Sequence, residues 1–448
     1  MSSVSGAAAG NPSGMTAASS VASREHHWFT EPTEPAKKSY VTWLVIAQFV
    51  FFVALLGPAI VGIGLKITSL QAAGAVEAGA AGLNTASAIL GGVGAFFATV
   101  ANVVFGRVSD RTTSRWGRRR IWIVLGTVIM TIGFVVMAFG DSLLIATIGW
   151  AIAQLGANMT LAPFVATIAD QVPRFQRGAI TAGLGIAQNV GIVGGVYVAG
   201  WFATNLFIVF VVPAILAIVV MVVFAIVLPD RVLPVKPPRM TFREVLETIW
   251  VSPAKHPDYA LAWWSRFLIT FAAFGFTAFR FPYMMFHLGV PEGEVGLLIA
   301  NTTLVYTGAL VLTAWAAGKV SDRIGRRKVF VWTSTALFAV GTLALIFVQD
   351  IPSYYLLEIF LGAAYGIYVG VDLALVVDVL PNPDDSGKDL GVFNMANALP
   401  QTAAPFAGGL VLAATGGASG DDYTVWFTVC AIVCLIGALV IFPIKKVK

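Results

Sequence analysis

Long apolar runs alternate with short polar segments along most of the chain. A helix that crosses a lipid bilayer needs roughly 20 mostly apolar residues, and twelve segments of that kind can be marked in the 448-residue sequence. They cover residues 40–65, 83–105, 120–140, 143–169, 179–202, 205–229, 259–286, 295–317, 329–349, 353–380, 390–415 and 422–444. The pattern predicts an all-α integral membrane protein with twelve transmembrane helices.

The distribution of basic residues predicts how the helices are oriented. If the N-terminus is inside, all but three of the 28 Lys and Arg residues lie in the termini or in connections on the cytoplasmic side. The exceptions are Lys66 outside and Arg266 and Arg280 within a span. Positive residues concentrate in cytoplasmic loops, so we predict that both termini are cytoplasmic and that the protein lies in the cell (inner) membrane. The net charge of +5 then reflects topology and not a nucleic-acid partner.

Composition agrees with this interpretation. Hydrophobic residues make up 58% of the chain and charged residues only 11%, whereas soluble proteins average about 25% charged. The sequence contains no Walker phosphate loop and no Cys/His cluster with metal-ligand spacing. We therefore expect neither an enzyme nor an ATP-driven pump, and we expect no cofactor.

One charged stretch occurs twice in the sequence. Both copies carry glycines, an aspartate and arginines in the same order: Gly106, Asp110, Arg111, Gly117, Arg118 and Arg119, and 212 positions later Gly318, Asp322, Arg323, Gly325, Arg326 and Arg327. The two Asp-x-x-Pro segments that begin at Asp170 and Asp378 extend the repeat. We expect both charged stretches to be loops at the membrane surface, and the duplication indicates two similar six-helix halves.

The repeat gives the domain organisation. We predict a disordered cytoplasmic tail over 1–39, an N-terminal six-helix bundle over 40–229, a cytoplasmic linker over 230–258 and a C-terminal six-helix bundle over 259–444. Within the linker, Thr241-Phe-Arg-Glu244 is a capping box, which predicts a short amphipathic helix on the membrane surface.

Four ionisable residues lie deep inside the predicted spans of the second half. A charge at membrane depth is costly unless it is paired or hydrated, so such residues are functional candidates. Arg266 and Asp372 lie at similar depth near the inside, and Arg280 and Glu358 match in the same way near the outside. We expect two ion pairs with a role in ion coupling. Snorkelling of the arginines to an interface is the alternative.

The first half offers neutral polar side chains. Gln48, Gln154 and Asn158 could bind a hydroxylated solute, because amides both donate and accept hydrogen bonds. In the second half, Trp263 and Tyr365 could stack on a sugar ring. Each amide could equally bridge two helices, and aromatic residues are common at lipid interfaces.

The repeated stretch resembles the signature of the major facilitator superfamily, Gly-x-x-x-Asp-Arg-x-Gly-Arg-Arg. The second copy matches throughout. The first has four extra residues between Arg111 and Gly117, a form similar to that of the glycoside–pentoside–hexuronide symporters and the sucrose-type carriers. The resemblance implies alternating access, with Asp110 and Asp322 holding an inner gate against the opposite half. Anchoring of the loops by their positive charge is the simpler alternative.

These features lead to two functional hypotheses. The first is proton-coupled symport of a sugar or glycoside, with Asp372 or Glu358 as the proton site. Sodium-coupled relatives are expected to carry an acid where this chain has Asn102, so a proton is favoured over sodium as the coupling ion. The second is a proton-coupled exporter of drugs or other small organic solutes. Such exporters carry Gly-Pro-x-x-Gly-Gly in helix 5, and the segment from Val190 to Gly195 lacks the proline. We expect a monomer whose partners are a small polar solute, a proton and the lipid bilayer.

Overall fold

The computed structural model describes residues 32–233, 251–380, 386–416 and 420–445. Within these ranges the chain is helical and has no β-strand. Most of the predicted N-terminal tail and the predicted amphipathic helix of the linker lie outside the described residues.

Twelve helices follow one another along the described chain. The first half contains α1 (Lys38–Ala72), α2 (Ala80–Asp110), α3 (Arg120–Phe139), α4 (Leu143–Gln171), α5 (Arg174–Trp201) and α6 (Leu206–Val227). The second half contains α7 (Pro257–Ala278), α8 (Glu292–Ile324), α9 (Arg327–Ala344), α10 (Ile351–Val379), α11 (Ser386–Thr415) and α12 (Thr424–Val440). Helices α1 to α10 are long and apolar enough to cross a membrane, and α12 is a shorter apolar helix. The predicted all-α membrane fold is confirmed.

The two halves share one packing plan. In the first half, α1 packs on α5 and α6, while α4 packs on α2 and α3. In the second half, α7 packs on α11 and α12, while α10 packs on α8 and α9. The contact of α3 with α6 likewise returns as that of α9 with α12. Every one of these contacts recurs six helices later, as expected for a duplicated bundle.

The prediction that both charged stretches are loops is wrong for their first residues. Helix α2 continues through Asp110, and α8 continues to Ile324. Each of these helices carries an arginine in its last turn, Arg107 in α2 and Arg323 in α8. A positive charge at this position interacts favourably with the negative end of the helix dipole. Gly325, with a φ of +68°, then ends α8 in the left-handed conformation that glycine adopts readily. The helices therefore extend beyond the apolar runs that predicted them.

Helices α1 and α7 are interrupted toward the same end of the molecule. Residues Pro58–Gly62 of α1 form a π-helical turn. After Ala278, α7 breaks into a short Arg280–Pro282 turn and a π-helical turn over Tyr283–His287. Proline cannot donate a backbone hydrogen bond, and π-turns often mark functional positions in helices. The sequence predicted one span over 259–286 and did not reveal this break.

Hydrogen bonds join the two halves at one end. Asn84 of α2 donates to the Gly420 carbonyl at 2.8 Å and accepts from the Tyr423 hydroxyl at 3.2 Å. Tyr197 of α5 donates to Asn301 of α8 at 2.8 Å. The halves are therefore closed together at the end of the α1–α2 connection.

Cysteine labelling tests the predicted orientation. Ala75, exposed in the α1–α2 connection, should lie outside, and Ser252, before α7, should lie inside. The native Cys430 and Cys434 are buried, so background labelling should be low. In intact cells, an impermeant maleimide should label Ala75→Cys, and it should label Ser252→Cys only after the membrane is permeabilised. The opposite accessibility would invert the topology.

Candidate functional site

The ion pair of Arg266 and Asp372 joins α7 to α10. Arg266 Nη1 lies 3.0 Å from Asp372 Oδ2. The two side chains are 21% and 8% exposed, and the guanidinium stacks over the Phe393 ring of α11 at 5.1 Å. A guanidinium has five N–H donors, and in the described structure Asp372 is the acceptor that Arg266 reaches. This pair is therefore partly open and keeps donors for another group.

The ion pair of Arg280 and Glu358 is sealed. Arg280 Nη2 lies 2.6 Å from Glu358 Oε1, and the side chains are 7% and 0% exposed. The guanidinium also donates to Thr302 at 2.6 Å, to Thr303 at 2.8 Å and to the Tyr354 hydroxyl at 3.2 Å. Tyr354 in turn donates to Glu358 at 2.5 Å. The network ties the broken end of α7 to α8 and α10, and it leaves little room for a ligand.

The two aromatic candidates both lie beside the open pair. The Trp263 indole N–H donates to the Val392 carbonyl of α11 at 3.0 Å, and its ring stacks on Phe267. The Tyr365 ring packs against Phe338 of α9, with 5.7 Å between ring centroids. The indole N–H of Trp263 is already used, so only its ring face remains for a solute.

The amides of the first half form two bridges between helices. Gln48 of α1 donates to Gln188 of α5 at 3.3 Å, while its own Oε1 is buried without a hydrogen-bond partner. Asn102 of α2 donates to Asn158 of α4 at 3.3 Å, and Asn158 donates to the Gln154 carbonyl at 3.0 Å. Gln154 differs, because its half-buried side chain makes no hydrogen bond within the described structure. It is the amide most available to a solute.

The charged stretch of the first half forms a network with α4. Asp170 accepts from Arg118 at 2.5 Å and from Arg119 at 3.0 Å. Arg119 also reaches Asp110 at 2.6 Å and the Ser109 hydroxyl at 2.5 Å. Burial alone would lower the pKa of Arg119, but the two carboxylates outweigh burial and raise it. From the sequence, Asp170 was noted only as part of the repeat. Asp170 and Asp378 recur together with the arginines of the charged stretches, and this could have indicated that the aspartates pair with those arginines.

Asp230, which follows α6, binds the end of the loop between α2 and α3. Its Oδ2 accepts from the backbone N–H of Arg119 at 2.7 Å and of Arg120 at 3.0 Å, which caps the start of α3. Gly117 has a φ of +104°, and a Cβ there would lie 2.1 Å from Asp230 Oδ2. The loop thus requires glycine for its backbone conformation and for space. No sequence pattern pointed to Asp230.

The second copy is built on the same plan but is looser. Arg327 pairs with Asp378 at 2.6 Å and lies 3.7 Å from Asp322, which is 71% exposed. Lys328 donates to the Ile444 carbonyl at 3.0 Å. In the second half, Ile444 occupies the position after α12 that Asp230 occupies after α6. An isoleucine side chain cannot accept hydrogen bonds, so it gives the start of α9 no cap like the one that Asp230 gives α3. Arg323 and Arg326 are exposed.

The first glycine of each copy lies where two helices cross. A methyl group in place of the Gly106 hydrogen would lie 3.8 Å from Ala162 Cβ of α4, and one at Gly318 would lie 3.4 Å from the Gly370 carbonyl oxygen of α10. Arg111 caps the end of α2. These positions hold α2 on α4 and α8 on α10, and the crossings place Asp110 and Asp322 at equivalent points in the two halves.

Comparison with known proteins identifies the family. The sequence pattern that defines the Major Facilitator Superfamily matches residues 41–281 and, in a second match, residues 265–448. The chain belongs to the Major Facilitator Superfamily. A bacterial homologue of the human lysosomal transporter Spinster, in an inward-facing and occupied conformation, has a similar fold: TM-score 0.70 and 13% identity over 93% of this chain and 98% of that chain. The nucleoside transporter NupG has TM-score 0.70 and 14% identity over 90% of this chain and 99% of that chain.

Membership of the Major Facilitator Superfamily makes this protein a multi-pass membrane transporter and not an enzyme. A transporter of this fold must open at one end and then at the other. The cross-half hydrogen bonds of Asn84 and Tyr197 close one end in the structure. Asp110 and Asp322 pair within their own halves here, and their predicted gate contacts with the opposite half stay a prediction.

Replacing Asp110 with asparagine tests the predicted gate. The change keeps the size of the side chain and the positive charge of the loop, so expression and orientation should survive. Loss of the acid should lower the transport rate by at least about tenfold, since charge-assisted hydrogen bonds are the strong ones. Transport rates in proteoliposomes, compared at equal protein content, measure this effect. Wild-type rates would leave only the anchoring role.

Proposed function

We propose that the protein is a proton-coupled symporter of a sugar or glycoside that works by alternating access. The observation that carries this proposal is the open Arg266–Asp372 pair in the second half. A carboxylate at membrane depth is available for protonation only if its counter-ion can leave and water can enter. The partial exposure of Arg266 meets this requirement, while the fully buried Arg280–Glu358 pair does not.

The pair supports a two-state mechanism. Contact with Arg266 favours the charged form of Asp372 relative to the same carboxyl group without its counter-ion. Separation of the two side chains would favour the protonated form, so proton binding and conformation become linked. A linkage of this kind is what coupled transport needs, because a ligand shifts a conformational equilibrium only through different affinities for the two states.

The solute is proposed to be hydroxylated and uncharged. The first half contributes amides, with Gln154 the least committed, and no fixed charge at that depth. Arg266 and Asp372 neutralise each other and still offer donors and an acceptor. NupG is by its name a nucleoside transporter, and a nucleoside also contains a sugar ring. Sugars, glycosides and nucleosides therefore form the range of candidates.

Uptake into proteoliposomes tests the proposal. The purified protein is reconstituted, and labelled monosaccharides, disaccharides, glycosides and nucleosides are offered with and without an inward proton gradient. We expect one of these solutes to accumulate only with the gradient. Export of a lipophilic cation, without uptake of any member of the panel, would support the exporter alternative instead.

Two amide variants locate the solute. Gln154→Ala should weaken binding of the accumulated solute by roughly tenfold, the value of one lost hydrogen bond of about 1.4 kcal/mol. Asn158→Ala removes a bridge to α2 and serves as the comparison. If both variants bind the solute as the wild type does, these amides serve only to hold helices together.

A further inference from the structure

Arg266 contacts a second group besides Asp372. Its guanidinium carbon lies over the face of the Phe393 ring of α11, 5.1 Å from the ring centre. The negative face of an aromatic ring attracts a cation in this position, and the attraction is stronger where water is excluded. Phe393 is 1% exposed, so its ring offers the guanidinium a dry contact. Arg266 therefore has one partner on α10 and another on α11.

Two further contacts fasten α7 to α11 at the level of Phe393. The Trp263 indole N–H donates to the Val392 carbonyl oxygen at 3.0 Å. The Tyr259 ring meets the Phe393 ring edge-on, with 5.7 Å between centroids. Tyr259, Trp263 and Arg266 follow one another at spacings of four and three residues, so they lie on one face of α7. The face of α7 that carries Arg266 is therefore joined to α11.

The titratable side chains that interact with Arg266 in the described part of the chain belong to α10. They are Asp372, at 3.0 Å, and the nearby Tyr365 and Tyr368. Among the described residues, no second carboxylate forms an ion pair with Arg266. If α7 and α10 move apart, Asp372 and both tyrosines leave Arg266 together. Phe393 stays, because α11 is fastened to the same face of α7.

The need for a second contact follows from the charge of Arg266. A guanidinium stays charged in proteins, and a charge at membrane depth is costly unless it is compensated. When Asp372 takes up a proton, it no longer supplies a negative charge to Arg266. The ring of Phe393 then matters more, because the carboxylate had cancelled much of the field that the ring experiences.

We propose that Phe393 is a positioning residue that holds Arg266 when Asp372 is protonated. This inference rests on the proposed coupling role of Asp372. The ring allows the guanidinium to leave the carboxyl group without losing its last favourable contact inside the protein. It also keeps Arg266 close to α10, so that the ion pair can form again when the proton leaves. Arg266 thus alternates between two partners instead of becoming an unpaired charge.

Fluorination of the Phe393 ring tests this role without any solute. In the purified full-length protein, Phe393 is replaced by a trifluorinated phenylalanine, which keeps the shape of the ring but weakens the negative charge of its face. Asp372→Asn serves as a neutral substitute for the protonated acid. In Asp372→Asn, fluorination should lower the melting temperature by roughly 2 °C. With Asp372 present, the decrease should be at most half as large.

Two controls identify the guanidinium as the group that the ring holds. In the double variant Arg266→Met with Asp372→Asn, which leaves neither charge of the pair, fluorination of Phe393 should not change the melting temperature. Phe267 of α7 stacks on Trp263, with 5.6 Å between centroids. Fluorination of Phe267 should therefore have the same effect in the wild type and in Asp372→Asn.

The outcomes separate this inference from the proposed function. A ring that only fills space would give equal decreases in the wild type, in Asp372→Asn and in the double variant. That result would overturn the role of Phe393, and so would the absence of any decrease in Asp372→Asn. The proposed function fails separately, if the wild-type protein accumulates no sugar, glycoside or nucleoside under a proton gradient.

Discussion

Replacing Asp372 with asparagine should abolish proton-driven accumulation of the solute. The variant keeps the shape of the side chain and can still accept a hydrogen bond from Arg266, which lies 3.0 Å from it in the wild type. It cannot bind and release a proton. With one proton per solute, a gradient of one pH unit can sustain about a tenfold accumulation, and in Asp372→Asn the ratio should fall to about one.

Exchange of solute is the control for this variant. Exchange between labelled and unlabelled solute across the membrane needs no net proton movement, so Asp372→Asn should retain it. Retained exchange would show that the variant is folded and can change conformation. If Asp372→Asn still accumulates its solute in response to a proton gradient, another group carries the proton.

Breaking the sealed Arg280–Glu358 pair should cause the largest loss of stability. Arg280→Met leaves the Glu358 carboxyl buried at 0% exposure without its counter-ion. Removing one partner of a buried pair costs about 3–5 kcal/mol, which corresponds to a decrease in melting temperature of roughly 10 °C. Thermal unfolding of the detergent-solubilised protein measures this effect.

The double variant Arg280→Met with Glu358→Leu decides between a structural and a coupling role. Replacing both partners of a buried pair by apolar side chains is often neutral, so its melting temperature should return close to that of the wild type. If the pair is structural, the double variant should also keep proton-driven accumulation. A stable double variant that transports without coupling would assign the proton to Glu358.

The sequence was sufficient to predict the transmembrane helices and the approximate depth of the charged residues within them. A bilayer requires long apolar runs and penalises unpaired charge, so both signals are strong in a single chain. The matched depths of Arg266 with Asp372 and of Arg280 with Glu358 correspond to the pairs that the structure brings together. The fold could be predicted because the solvent constrains it so strictly.

The difference between the two pairs could not be predicted from the sequence. It depends on Thr302, Thr303 and Tyr354, three common residues that meet Arg280 only through the packing of α8 and α10. Asp230 was missed for a related reason. Its counterpart in the repeat is Ile444, so no recurring acid pointed to the cap that Asp230 gives α3.

The extended ends of α2 and α8 and the break in α7 were missed because hydropathy reports burial in lipid and not helix continuity. A helix can leave the membrane and continue, as α2 does to Asp110. A helix can also break inside an apolar run, as α7 does at Phe279 before Pro282. The break separates the segment that carries Arg266 from the turn that carries Arg280, so the two pairs can respond differently to a conformational change.

Proton movement driven by the solute tests the central claim most directly. Proteoliposomes that contain the wild-type protein and an internal pH indicator are given an inward gradient of the transported solute, without any imposed pH gradient. Symport predicts that the interior acidifies as the solute enters, and that Asp372→Asn takes up the solute slowly and without acidification. Entry of the solute into wild-type vesicles with no change in internal pH would contradict the account.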